Sequence, residues 1–382
     1  MNILEEIQNC PVEWKELGEV CSVKKGKQLN KNLLTEDGLY PAYNGGQTYS
    51  GRTNDYNVEA NTIIVSQGGA SAGFVNFVDT KFWANAHCYY ILPDETRVNN
   101  RFVYHFVKMN QKYLMDFQHG AGIPALKADK LSKLLLPIPP LEIQEKIVQI
   151  LDKFTAYVTE LTSELTSRKK QYSFYRDKLL SFEDEVYQVE WKKLNECLKK
   201  GKGTKITASQ MKLLHKDGAP IRIFAGGKTY ADVNYGDIPD KDIHTEEAIV
   251  VKSRGIIDFE YCTEPFSFKN EFWSYSSDNE NINLRYIYHY LVHNKEHFQN
   301  IANNMQMPQI SSNDTEKFKI PVPSLEIQSR IVQVLDNFDT VCHDLNIGLP
   351  KEIELRQKQY EYFREKLLTF VAEGEYSESR VE

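Results

Sequence analysis

Two short basic turns carry the most suggestive chemistry in this 382-residue chain: Lys24-Lys25-Gly26-Lys27 and Lys199-Lys200-Gly201-Lys202. A glycine among lysines lets backbone N–H groups approach a phosphate while the ammonium groups neutralise it. Such contacts position a protein on nucleic acid more than they read its sequence. Lys25, Lys27, Lys200 and Lys202 are the candidates for that role. Base reading needs amide, hydroxyl and cationic groups on loops able to face the major groove. One such set is Asn44, Gly45, Gly46, Gln47, Thr48, Tyr49 and Arg52, followed by Gln67 and Ser71. Its counterpart is Gly226, Gly227, Lys228, Thr229 and Tyr230, followed by Lys252, Ser253 and Arg254.

The tools of an enzyme are missing from the same sequence. Gly201-Lys202-Gly203-Thr204 is a glycine-lysine turn without the spacing of a phosphate-binding loop. Pro139-Pro140 lies between Ile138 and Leu141, not between the aromatic flanks with which amino-methyltransferases hold a flipped base. Pro239-Asp240 has no acid-x-Lys downstream as a metal nuclease would need, and Glu190-Trp191-Lys192 precedes it. His289, His293 and His297 share one helical face at a spacing that could hold a metal. No H-E-x-x-H accompanies them, and the corresponding positions earlier in the chain are His105, Met109 and Tyr113. A partly buried helical face is expected there, with no catalytic residue, metal or cofactor.

What must position these loops is a duplication. Residues 136–154 read LPIPPLEIQEKIVQILDKF and residues 320–338 read IPVPSLEIQSRIVQVLDNF; RKKQYSFYRDKLLSF (168–182) returns as RQKQYEYFREKLLTF (356–370). Apolar residues recur at steps of three and four through Ile143, Ile147, Ile150, Phe154, Tyr157, Leu161 and Leu165, then Tyr172, Tyr175, Leu179 and Phe182. That is a coiled-coil seam, and it predicts a helix over 141–182 about 60 Å long. The second copy repeats it at Ile327, Ile331, Val334, Phe338, Val341 and Leu345, then Tyr360, Phe363, Leu367 and Phe370. Ser324 is placed to cap its start. Each buried seam residue contributes about 1.5–3 kcal/mol, so the two helices are expected to pack together, antiparallel because a globular domain intervenes. Four additional residues around Gly348 and Pro350 favour a kink or break in the second.

The resulting order is a recognition unit over 1–140, a spacer helix over 141–182, a second unit over 183–324, a second spacer over 325–372 and a tail over 373–382. Val12–Leu17 and Val189–Leu194 open the two units. Thr62–Val65 matches Ala248–Val251, helix Arg101–Phe106 matches Arg285–Tyr290, and loop Gly122–Pro124 matches Gln306–Pro308. The fold class is α+β: two similar α/β domains separated by two long antiparallel coiled-coil helices, an internal pseudo-two-fold repeat. Between the matching anchors the residues differ freely, as two readers with different targets would.

Net charge is -7, with Lys+Arg against Asp+Glu at 14 to 14 over 1–140, 7 to 6 over 141–182, 18 to 21 over 183–319 and 7 to 12 over 320–382. An anion-binding surface must therefore be local. The six cysteines have no regular spacing and read as unpaired thiols in a reducing cytoplasm. No apolar run is long enough for a membrane span and no export signal opens the chain.

The P-x-P-P-L-E-x-Q-x-x-I segment (Pro137–Ile147), echoed at Pro321–Ile331 with Ser324 for the second adjacent proline, resembles the helical regions of type I restriction-modification specificity subunits. The resemblance covers nearly the whole chain: the W-x-x-L opening, the Gly-Gly turn, the proline loop and the helix, each twice. It implies a non-catalytic subunit whose two target-recognition domains each bind half of a bipartite, asymmetric double-stranded DNA sequence. The paired helices would set the gap and dock two copies of an S-adenosylmethionine-dependent adenine-N6 methyltransferase, with Leu141, Ile147 and Ile331 as candidate docking residues. A restriction and translocase subunit would complete the complex. A stand-alone methyltransferase or nuclease with unfamiliar motifs, and a coiled-coil scaffold, are the alternative readings.

Overall fold

The computed structural model describes residues 3–116, 125–182, 189–303 and 308–370. Loop residues Gly122–Pro124, Gln306 and Met307, and the tail over 373–382 lie outside them. The chain divides into two compact units, Met1–Thr162 with Glu352–Glu382, and Ser163–Lys351.

Each unit contains the same three sheets. In the first, Glu13–Glu16 pairs antiparallel with Leu135–Ile138, closing the unit where the spacer helix begins. A four-stranded antiparallel sheet runs in the order Cys21–Lys25, Cys88–Pro93, Thr62–Ser66, Val75–Val78. A three-stranded sheet sets Tyr40–Tyr43 between Gly51–Thr53 and a parallel Trp83–Ala84. The second unit repeats this with Glu190–Lys193 against Lys319–Val322, with Lys199–Lys202, Trp273–Ser276, Ala248–Lys252 and Asp258–Cys262, and with Tyr230–Val233, Ile221–Phe224 and a parallel Phe266–Phe268.

The central strands Thr62–Ser66 and Ala248–Lys252 are buried at every position because both faces are covered. Side chains alternate across a strand. Ile63 and Val65 accordingly join the core under helix Asn100–Met109, whereas Ile64 joins a separate small core with Phe82 and Ala84. Ile249 and Val251, against Val250, divide the second unit in the same way.

The spacer helix is one unbroken element, Leu141–Ser181. Within the first unit its Phe154 stacks on Phe363 at 5.1 Å, and Ile143, Ile147 and Leu151 share a core with Leu367 and Leu368. Within the second, Tyr172 and Tyr175 each stack on Phe338 at 5.8 Å, and Leu180 packs with Ile331 and Leu335. In both units the helix segments run antiparallel. The expected seam is not the buried face throughout. Tyr157, Val334, Val341 and Leu345 are exposed, while Leu335 and Cys342 are buried. The cause is that these helices also roof their own domain, so the buried stripe turns toward it.

The second spacer, expected over 325–372 with a kink or break at Gly348 and Pro350, is broken there: the described residues form two helices, Leu325–His343 and Leu349–Leu368. Pro350 stands in the first turn of the later helix, where its missing N–H costs nothing. A side chain on Gly348 would strike the carbonyl oxygens of Thr340 and Asp344, so the break packs tightly on the end it interrupts.

Ser324 occupies the cap position without making a side-chain cap bond. The ordering group is the glutamine of the repeated L-E-I-Q. Gln144 is fully buried; its Oε1 accepts from Asn99 N (2.7 Å), and its Nε2 donates to Pro139 O (2.8 Å) and Arg97 O (3.3 Å). Asn99 in turn caps helix Asn100–Met109 through Arg101 N and Phe102 N. Gln328 reproduces the arrangement with Asn283 N, Pro323 O and Asn281 O at 2.9, 2.8 and 3.0 Å.

Candidate nucleic-acid interface

The two hairpin turns over 44–50 and 225–229 connect strands of the three-stranded sheets and present their side chains outward. Asn44, Gln47, Thr48 and Tyr49 are exposed in one, and Gly226, Gly227, Lys228, Thr229 and Tyr230 in the other. Tyr49 and Tyr230 are half exposed at 50% and 49%, so each turn offers one aromatic face to a ligand. Tyr49 leans edge-on against Tyr43, and Tyr230 carries the Arg222 guanidinium 4.3 Å from its ring centre. The shared Gly-Gly is used differently. Gly45 takes φ +83° with its N–H directed at the Cys88 thiol, whereas in the second turn it is Gly227, aligned with Gly46, that takes φ +62°. Gly46 is half-buried beneath its turn.

Several expected contacts are not available to DNA. Arg52 donates to the Gly38 and Leu39 carbonyls and so holds its own loop. Lys252 is 3% exposed, with Nζ bonded to Gly227 O (2.9 Å) and Glu260 Oε1 (2.6 Å). Ser253 is buried and donates to Glu271 O. Both lie where the central strand is covered on its two faces. Gln67 and Ser71 are half-buried, while Arg254 is exposed.

The basic turns also differ from expectation. Gly26 N and Lys27 N donate to Cys88 O and Ala84 O at 2.9 Å, so their N–H groups are not free for a phosphate; only the lysine side chains, exposed at Lys25 and Lys27, can serve. Gly201 is a strand residue opposite Ser274. Lys200 is neutralised by Glu316 at 2.8 Å, leaving Lys202 exposed. Of the docking candidates, Leu141 is 40% exposed, but Ile147 and Ile331 are core residues because their helix face roofs the domain.

The three histidines do not converge. His289 bonds Asp336 (2.7 Å), His293 faces Asp177 (3.6 Å), and His297 packs on Phe318. His289 belongs to a repeated polar cluster: Arg285 and His289 share Asp336 as Arg101 and His105 share Asp152. Burial pushes the His105 imidazole down against the opposing pull of Asp152, so it is neutral near pH 7. Burial also pushes the Tyr360 hydroxyl up to about 12, which leaves it protonated to donate to His105 Nδ1 at 3.0 Å. The cluster has the character of a structural pin.

The family described as type I restriction modification DNA specificity domain matches this chain twice, over residues 11–168 and 188–355. The chain belongs to that family. The Escherichia coli type I restriction enzyme EcoR124I/EcoR124II specificity subunit is 32% identical over 403 residues, covering 97% of each chain. The S subunit of a type I restriction-modification system from M. genitalium superimposes with a TM-score of 0.71 at 22% identity, covering 95% of this chain and 98% of that one; this likeness is one of fold. A specificity subunit is a DNA-recognition component and not a catalyst. No helix among the described residues is long and apolar enough to cross a membrane.

Sequence reasoning missed Gln144 and Gln328. Their identical place in both repeats was the available signal.

Proposed function

We propose that this specificity subunit reads a bipartite, asymmetric duplex target in the cytoplasm, one half through the domain at 1–140 and the other through the domain at 183–324. The observation that carries this reading is the pair of equivalent hairpin turns whose residues differ at the outward positions: exposed Asn44 and Gln47 in one stand where the other has a buried Ala225 and an exposed Lys228. Equivalent placement with different donors and acceptors is what two distinct half-sites require. Lys25, Lys27 and Lys202 contribute phosphate contacts. The spacer helix Leu141–Ser181 and the helix pair Leu325–His343 and Leu349–Leu368 fix the gap and dock two copies of a methyltransferase, with Leu141 and its equivalent Leu325, 40% and 42% exposed, on the docking face. A restriction and translocase subunit joins that assembly. Mapping methylated adenines in cells that express the chain with its methyltransferase tests the reading. Replacing Gln47 and Thr48 is expected to alter one half of the mapped site only. Changes in both halves, or none, would overturn the division of labour.

A further inference from the structure

Beneath each recognition turn the last residue of the central strand makes the same unusual bond. In the first unit Ser66 Oγ donates to Gly46 O at 3.1 Å; in the second Lys252 Nζ donates to Gly227 O at 2.9 Å. Gly46 and Gly227 are equivalent, as are Ser66 and Lys252, which end Thr62–Ser66 and Ala248–Lys252. A second equivalent pair completes the support. Asn76 faces Ile64 across the first sheet and Glu260 faces Val250 across the second. Asn76 Nδ2 donates to Gln47 O at 2.8 Å, and Glu260 accepts from Lys252 at 2.6 Å.

Ser66 and Lys252 are 4% and 3% exposed, so neither presents a surface to DNA. They do connect an exposed turn to a strand buried on both sides. A serine hydroxyl sits directly on Cβ, whereas the lysine ammonium ends a flexible four-carbon stem. The two supports therefore hold their turns by different reach and different charge. A turn held before binding loses less freedom on binding and keeps its donors in one geometry.

We propose that Ser66 with Asn76, and Lys252 with Glu260, are positioning residues that set the pose of the recognition turn and thereby govern half-site discrimination from beneath it. This rests on the reading of the turns as base readers. Lys252→Met removes the ammonium while keeping the stem's bulk, and leaves Glu260 partly solvated. The full chain, co-purified with its methyltransferase, is offered a duplex pool randomised in both halves, and the bound DNA is sequenced. Lys252→Met is expected to lower discrimination in the second unit's half on the order of tenfold, with the other half, the melting temperature and the salt dependence unchanged. Ser66→Ala is expected to do the mirror-image, and Ser66→Thr, which keeps the hydroxyl, to retain discrimination. Should Lys252→Met fail to fold, Ser66→Ala decides. Gln47→Ala and Lys228→Ala are run alongside. If these change discrimination and the brace variants do not, or if the brace variants weaken both halves equally, the brace is refuted and the turns stand as readers. If Gln47→Ala and Lys228→Ala change nothing, the reading of the turns falls and the brace falls with it.

Discussion

Lys25 and Lys27 hold their ammonium groups at the surface, whereas Lys200 is paired with Glu316 and Lys252 is enclosed beneath a turn. Of these four, only the first two are free to meet a phosphate at full charge. Lys25→Glu or Lys27→Glu is expected to weaken binding to every duplex alike, and to reduce the slope of log affinity against log salt by about one for each phosphate no longer neutralised. Lys200→Met should leave that slope unchanged. Binding titrations at several salt concentrations make the comparison; a loss confined to one sequence would contradict a phosphate role. In sequence Lys25, Lys27 and Lys200 were alike candidates for a phosphate, and Lys252 was a candidate for a base. What separates them is the partner each meets through tertiary structure, Glu316 lying far along the chain from Lys200 and Glu260 reaching Lys252 diagonally from the neighbouring strand.

At the level of elements, the helix Leu141–Ser181 was legible because its apolar spacing is regular. The purpose of the glutamine in L-E-I-Q was not, since its partners are backbone atoms delivered by other segments. Truncating Gln144 strands the Asn99 N–H and the Pro139 carbonyl in a dry site and loosens the cap on helix Asn100–Met109. Gln144→Ala is expected to cost about 2–4 kcal/mol, and Gln328→Ala about the same in its own unit. The exposed neighbour Glu145→Ala should stay within about 0.5 kcal/mol. Denaturant melts of the three variants check this; equal effects at Gln144 and Glu145 would remove the glutamine from its assigned role. The break at Gly348 was visible as a nearby glycine and proline, but its tightness was not, because that depends on where the Thr340 and Asp344 carbonyls fall.

Across the whole molecule the repeated Arg-His-Asp clusters tie stability to pH. His105 and His289 have their pKa values lowered by burial, against the raising effect of Asp152 and Asp336, and burial lowers His293 as well. As pH falls below the ordinary histidine value of 6.5, the unfolded chain binds protons that the folded one refuses, so stability declines by up to about 1.4 kcal/mol per pH unit for each such group. A further loss begins below 3.8. There burial would raise the Asp152 carboxyl, but its bonds to His105 and Arg101 hold it at about 2, and the stability it contributes above 3.8 disappears as pH falls toward that value. Thermal melts from about pH 7 to about pH 5 should show a falling midpoint, with a flatter profile for His105→Gln. A midpoint that rises on acidification would mean the imidazoles are already charged. The two-unit plan and the duplicated helices were readable from the repeat, while the exposed or buried state of Lys252, Ser253, Ile147 and Ile331 required knowing what covers each face.

The alternation in the central strands has a consequence for how such a protein can change. Ile63 and Val65 serve the core beneath the helices while Ile64 serves a separate small core with Phe82 and Ala84, and Ile249, Val251 and Val250 repeat that partition. Side-chain changes on the Ile64 and Val250 side can therefore be made without repacking the core that joins each unit to its helices. On the proposed reading of the turns, target preference is open to change in one compartment while the packing of the other stays fixed.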